Sequence, residues 1–336
     1  MDGEDHDTDL KQVQALAVSE DGIHFTKLDE NPVIGDAPEG DIHPYHFRDP
    51  KVWKHENVYY SVIGSRTKDH IGQVLLYRSE DLIQWEFVNV AAKDEGNCGF
   101  MWECPDFFHL DGKNVLVMSP QGMKPEGHRF QNLHQAGYVF GNLDYGKGIF
   151  EIGDFQMLDD GFDFYAPQTM VDEKGRRILI AWMDMWESEM PTQKFNWAGA
   201  MTIPRLLQVK GDQLMTQPVP ELKELRQNEV SYSNTSFTGD TSFPDVFGSC
   251  LELSVTIDAQ KALDFGLKLR VNEELGEETV LTYKKENSLL TVDRNKSGEG
   301  VNGERSTEIK LINNELNLQI FIDQSSIEVF INEGER

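Results

Sequence analysis

A seven-residue phrase, Ser19-Glu20-Asp21-Gly22-Ile23-His24-Phe25, returns as Ser79-Glu80-Asp81-Leu82-Ile83-Gln84-Trp85. Self-similarity of this kind marks a chain built from like units, none of which buries its apolar face alone. Each copy follows a short apolar run (Ala15 to Val18; Val74 to Tyr77) and leads into another. Each therefore reads as strand, turn and strand, with the closing aromatic returning to the core.

A second element interleaves with the first. Arg48-Asp49-Pro50 precedes Lys51-Val52-Trp53, Cys104-Pro105-Asp106 precedes Phe107-Phe108, and Ala166-Pro167-Gln168 precedes Thr169-Met170. A turn follows each (His55-Glu56-Asn57, Asp111-Gly112-Lys113, Asp172 to Gly175), and then a β-rich run: Val58 to Ile63, Val115 to Met118, Ile178 to Trp182. Equivalent hairpins at this period, with little helical periodicity between them, predict an all-β chain whose first part is a β-propeller. In such a fold the innermost strand of each blade lines a central channel, so polar residues at the starts of these strands are expected to converge on one axial pocket.

The pattern changes near Pro218. Pro220-Glu221-Leu222-Lys223-Glu224-Leu225-Arg226 carries good helix formers with leucines three apart, which predicts a short linking helix over 218–228. Beyond it, Leu251 to Ile257, Phe265 to Val271 and Leu316 to Ile322 alternate apolar and polar residues, the signature of a β-sandwich over 229–336. Two cores also suit the length, since 336 residues exceed what one hydrophobic core usually serves.

Charge and cysteine usage narrow the partners. Against 58 acidic residues stand 31 basic ones, a net of -27 with no Lys/Arg-rich run, which excludes a phosphate-backbone footprint and hence nucleic acid. No run of about twenty apolar residues and no basic-then-apolar leader is present, so no membrane span or secretory signal is expected in this sequence. The 3 cysteines, Cys98, Cys104 and Cys250, lack CxxC spacing and read as a reduced cytoplasmic protein, not a disulfide or zinc framework. In His43-Pro44-Tyr45-His46 the proline disfavours a helical metal-binding face, and a polar loop is expected.

Asp49 and Glu103 are singled out by position. Each lies at the start of a predicted inner strand beside aromatics, Phe47 and Trp53 for one, Trp102 and Phe107 for the other. Two carboxyl groups facing an aromatic-lined pocket suit glycoside chemistry, in which one acid protonates the leaving oxygen. From pattern alone a non-catalytic carbohydrate-binding propeller fits as well, because fold does not fix function.

The motifs carry a resemblance. Phe47-Arg48-Asp49-Pro50 and Trp102-Glu103-Cys104-Pro105-Asp106 resemble the Arg-Asp-Pro and Glu-Cys motifs of the β-fructofuranosidases, the invertase and sucrose-6-phosphate hydrolase family. Tyr165-Ala166-Pro167-Gln168-Thr169, Ala181 to Trp186, Met190-Pro191-Thr192, and Trp197-Ala198 through Ile203-Pro204-Arg205 resemble its bacterial intracellular members in order and spacing, as does Asp323-Gln324-Ser325-Ser326-Ile327-Glu328-Val329-Phe330 near the far end. The resemblance implies a five-bladed propeller, its first blade missing or incomplete in this chain, over 1–217, followed by the C-terminal sandwich. It implies Glu103 as general acid/base and Asp49 as the carboxylate holding the fructosyl hydroxyls. Arg48, Trp102, Cys104, Tyr165 and Trp186 become substrate-pocket residues, with the Tyr165 hydroxyl orienting Glu103. An acid desolvated by Trp102 and Phe107 would stay protonated long enough to donate. Trp182, continuing an apolar strand, is expected in the core.

The implied substrates are sucrose, sucrose 6-phosphate or other β-fructofuranosides, with no metal or organic cofactor required. Ser119-Pro120-Gln121-Gly122, Phe130-Gln131-Asn132 and Gln135-Ala136-Gly137-Tyr138 look most like the enzymes acting on phosphorylated sucrose, although Lys124, Arg129 and Arg66 are not placed by the sequence. Fructan hydrolysis, fructosyl transfer, and a five-bladed arabinan or xylan hydrolase are the neighbouring activities, the last disfavoured by the Glu-Cys-Pro motif and the sandwich. One departure stands out: the family's nucleophile, the aspartate of an Asn-Asp-Pro-Asn-Gly motif in the first blade, has no counterpart among these 336 residues. Both ends read as truncated, so the parent is expected to be active and this chain by itself inactive.

Overall fold

In the computed structural model, which describes residues 10–94 and 97–336, the repeated phrase makes the same turn twice. Asp21 Oδ1 accepts the backbone N–H groups of Ile23 and His24 at 2.8 Å each, and Asp81 Oδ1 accepts those of Ile83 and Gln84 at the same distances. Ser19 Oγ and Ser79 Oγ each take the N–H three residues on, at 2.9 Å. These are local side-chain turns that replace backbone pairing, which is why the phrase tolerates change at its other positions. The fourth position is left-handed in both copies, φ 72° at Gly22 and 69° at Leu82. The aromatics differ. Trp85 packs against an apolar cluster, whereas Phe25 is 63 % exposed, because the first turn closes only a two-residue ladder, Ala17–Val18 with Thr26–Lys27.

Contact density divides the chain into two compact units, Met1–Met170 with Ile180–Met201, and Val171–Leu179 with Thr202–Arg336. The first contains two antiparallel four-stranded meanders. One runs β1 (Phe47–His55), β2 (Val58–Arg66), β3 (Gly72–Ser79) and β4 (Glu86–Lys93). The other runs β5 (Met101–Leu110), β6 (Lys113–Gln121), β7 (Gly137–Asp144) and β8 (Ile149–Ile152). Asp111 and Gly112 close the β5–β6 hairpin with φ 48° and 84°, the two positive values that a tight hairpin turn needs. The core between the meanders joins Tyr60, Val62, Val74 and Leu76 of the first to Trp102, Phe107, Leu116 and Met118 of the second. β9 (Tyr165–Val171) and β10 (Arg177–Met183) supply the third proline-led hairpin.

In the second unit, β11 (Arg205–Lys210) and β12 (Gln213–Pro218) form a hairpin, followed by a turn of helix at Pro220–Leu225. The predicted linking helix is thus a 3₁₀ segment. Pro220 opens it, no side chain caps it, and the six residues are too few to propagate an α-helical ladder. Next come β13 (Leu251–Asp258), β14 (Asp264–Asn272), β15 (Glu277–Lys284), β16 (Leu289–Lys296), β17 (Glu304–Glu308), β18 (Glu315–Ile322) and β19 (Ile327–Ile331). They form a three-stranded sheet, β13-β18-β19, and a four-stranded one, β14-β15-β16-β17. Both sheets contribute to a single core, Leu269, Leu281 and Leu290 with Leu316, Leu318 and Ile320, so the predicted sandwich is present. Along β18 burial alternates without a break, as period-two sequence requires.

Two motifs far apart in sequence meet in this unit. Glu328 Oε1 accepts the Ile203 N–H at 2.8 Å, Glu328 Oε2 takes Arg205 Nη2 at 3.0 Å, and the Arg205 guanidinium lies 5.1 Å from the Phe330 ring centre. The ion pair is almost fully enclosed, with side chains 6 % and 7 % exposed. Breaking such a pair strands one charge in low dielectric. Glu328→Ala is expected to lower stability by about 3–5 kcal/mol, measured by urea unfolding, whereas Arg78→Ala, which removes the exposed pair to Glu86, should cost under about 1 kcal/mol.

Candidate active site

Three successive proline-led strands share one backbone irregularity. Asp49, Cys104 and Ala166, each directly before a proline, have φ of 60°, 49° and 50°. Positive φ is uncommon outside glycine, and proline already pushes its predecessor out of the right-handed helical region. In β1 and β5 the kink coincides with register shifts, between Arg48 and Lys51 and between Glu103 and Asp106. Such bulges re-aim the flanking side chains. The residues just ahead of the kinks are Arg48, Glu103 and Tyr165, and they meet.

Glu103 is the centre. Its Oε1 accepts Arg48 Nε at 2.8 Å and Nη2 at 2.6 Å, and its Oε2 accepts the Tyr165 hydroxyl at 2.5 Å and Gln121 Nε2 at 2.9 Å. The carboxylate is therefore fixed in orientation from both sides. Tyr165 is buried, and that burial, reinforced by the Glu103 charge, drives its hydroxyl far above the usual phenol range. It remains a proton-bearing donor to Glu103. Arg48 is held in turn, with Nη1 3.0 Å from His46 Nδ1 and 3.3 Å from Gln12 Oε1.

Asp49 sits one residue along. Its Oδ2 accepts the Cys104 N–H at 3.0 Å and lies 3.5 Å from Cys104 Sγ. Below the site the inner strands are pinned to one another. Lys51 Nζ reaches the Thr169 carbonyl at 2.6 Å and Asp106 Oδ2 at 3.1 Å, while that carboxylate also takes the Thr169 N–H at 2.6 Å. Gln168 Nε2 donates to the Cys104 carbonyl at 3.0 Å.

Of the expected pocket residues, Arg48, Asp49, Glu103, Cys104 and Tyr165 are thus in one network. Trp102 is not. It is fully buried in the core between the meanders, and its Nε1 donates to the Cys98 carbonyl at 2.7 Å. Side chains alternate across a strand, so a neighbour of Glu103 faces the other way. Phe107 lies in the same core, so the two rings expected to desolvate the acid are packed elsewhere. Trp186 is 53 % exposed, edge-on to the partly buried Trp182 at 5.5 Å. His46, expected in a polar loop, is buried and braces Arg48. Gln121 was legible only by counting across the Asp111-Gly112 hairpin from Glu103, and that count needs the bulge at Cys104. Among the described residues no three His, Cys, Asp or Glu side chains group so as to hold a metal ion.

This frame has relatives. A family model for the N-terminal domain of the glycosyl hydrolases family 32 matches residues 2–218, and the family's C-terminal model matches residues 221–336. The chain belongs to glycosyl hydrolase family 32. It is 42% identical over 338 residues to a sucrose-6-phosphate hydrolase of Zymomonas mobilis, covering 97% of this chain and 64% of that one. A solved β-fructofuranosidase of Bombyx mori from the same family superposes with a TM-score of 0.83 at 37% identity, over 97% of this chain and 66% of that one. A mutant of that enzyme in complex with sucrose gives 0.79 at 36% identity, over the same shares. The family 32 chain described here therefore spans about two thirds of the length of the relatives it matches.

Within this family 32 site the cysteine is poorly suited to be a nucleophile. Burial, then the charges of Asp49 and Glu103, push the Cys104 thiol well above its ordinary range, and burial does the same for Cys98. The thiolate is the reactive species. At pH 8, iodoacetamide should label exposed Cys250 ahead of Cys104 and Cys98, read by peptide mass; faster labelling of Cys104 would contradict this.

Proposed function

We propose that the protein acts as a retaining β-fructofuranosidase on sucrose or sucrose 6-phosphate, with Glu103 as general acid/base. The observation that carries this reading is the Glu103 carboxylate held between Arg48 on one oxygen and Tyr165 with Gln121 on the other, one residue from the carboxylate of Asp49 across the kink. A proton donor to a leaving oxygen works by geometry first, and this one is oriented by four hydrogen bonds. Asp49 binds the fructosyl hydroxyls and stabilises positive charge developing at the anomeric carbon. Arg48 sets the position of Glu103, and Cys104 presents its N–H to Asp49. Trp186 offers an exposed ring face to a sugar. The blades described belong, in this reading, to a five-bladed propeller, with the first blade incomplete here. The sucrose-6-phosphate hydrolase of Zymomonas mobilis and the sucrose bound to the Bombyx mori relative support the substrate class. Three free cysteines support a cytoplasmic protein, and no helix among the described residues is long and apolar enough to cross a membrane.

Retention requires a second carboxylate about 5 Å from the acid to carry the glycosyl group. The family's Asn-Asp-Pro-Asn-Gly motif is not found in these 336 residues, so the chain by itself is proposed to be inactive. Purified by itself, it should show no sucrose hydrolysis; turnover at the rate of an intact family member would refute this.

In the full-length protein, Glu103→Gln should reduce sucrose hydrolysis by about 10²–10⁴-fold. It should spare cleavage of an aryl β-fructofuranoside whose phenolate leaves without a proton. Equal losses on both substrates would remove Glu103 from the acid role.

A further inference from the structure

His134 is tied to the acid's surroundings by several contacts, and the reaction assigned above does not use it. Its backbone bridges to Gln121, the residue that donates to Glu103 Oε2. Its ring centre is 5.8 Å from that of Tyr165, the other donor to that oxygen. The Gly122 N–H donates to its Nδ1 at 3.3 Å. A backbone amide can only donate, so Nδ1 is unprotonated and the ring proton of the neutral imidazole resides on Nε2. Burial depresses the basicity of His134, against opposing pulls from the Leu133 backbone first and then from the charges of Glu103 and Glu187.

The strand register puts His134 on one side of the acid. Along β5, Glu103 faces Ser119 and Met101 faces Gln121. Asp49 meets the strand at Cys104, in the other direction from Glu103. Asp49 and His134 therefore flank the acid on opposite sides along the strand. The acid protonates the oxygen linking the two halves of the substrate. With the fructosyl half at Asp49, the half beyond that oxygen lies at His134.

We propose that His134 lines the leaving-group subsite, the imidazole Nε2–H donating to a hydroxyl of the departing sugar. This rests on Glu103 being the acid. A neutral imidazole donor suits a hydroxyl of an uncharged sugar unit and is not a fixed cation of the kind a phosphate selects.

The test compares leaving groups in the full-length protein. His134→Leu and His134→Gln keep the bulk of the ring, and the glutamine also keeps a donor, so a folding defect would not separate them. Leucine should lower kcat/KM for sucrose by about tenfold or more, mainly through KM. It should leave an aryl β-fructofuranoside, whose leaving group has no hydroxyls, within twofold of wild type, and glutamine should restore most of the sucrose rate. Equal losses on both substrates would make His134 a brace for Tyr165 or Gln121 and overturn the proposal, as would no loss on sucrose. A wild-type protein that hydrolyses neither substrate would bring down the fructofuranosidase reading and this one with it. A wild type active on both, with an unselective leucine variant, would bring down this one alone.

Discussion

The site depends on a left-handed residue placed ahead of proline in three proline-led strands, β1, β5 and β9. Held there, Asp49, Cys104 and Ala166 cost about 1–3 kcal/mol each in backbone strain, and only the surrounding contacts make the conformation persist. Those contacts are between strands. Asp49 accepts the N–H of Cys104, the Gln168 side-chain amide donates to the carbonyl of Cys104, and fully buried Asp106 binds both Lys51 and the backbone of Thr169. Each kink is thus braced by its neighbour, and the residues ahead of the kinks, Arg48, Glu103 and Tyr165, are delivered to one point. A salt bridge and a short hydroxyl–carboxylate bond then join three strands whose residues lie far apart in the chain.

The position of the acid also depends on its neighbour in β5 facing the other way. Trp102 fills the core between the two meanders, and the backbone closes tightly around it. A β-carbon on Gly72 would come within 2.3 Å of the Trp102 ring, and one on Gly64 within 2.4 Å of its carbonyl oxygen. Glycine at these two places lets β2 and β3 approach a buried indole that anchors β5. Packing on one face of the strand and chemistry on the other are separate demands on adjacent residues, and alternation satisfies both.

Much of this was legible in the residues. The Ser-x-Asp phrase is a self-contained turn whose hydrogen bonds are local, so its recurrence translated directly into recurring hairpins. The X-Pro repeat located the inner strands for a similar reason, since proline constrains its predecessor wherever it stands. Alternation in Leu316 to Ile322 read cleanly because one face is buried against a second sheet. The misreadings have physical causes too. Trp102 was assigned to the pocket by adjacency to Glu103, although adjacency in a strand means opposite faces. Phe25 was expected in the core, but its ladder is too short to carry it there. The short linking helix is where it was expected, at Pro220–Leu225, and is 3₁₀ because propensity cannot overcome a nucleus of so few residues.

Sequence alone determined that the chain is an array of hairpins followed by a sandwich, and that Asp49 and Glu103 open equivalent strands, because turns, prolines and period-two patterns act over a few residues. It also bounded the partners through charge. Only the tertiary structure decided what surrounds Glu103. Arg48, Gln121, Tyr165 and His134 reach it across strand pairings and bulges whose register depends on how whole sheets pack, and a shift of one residue turns a side chain from the site to the core. No local pattern encodes that choice.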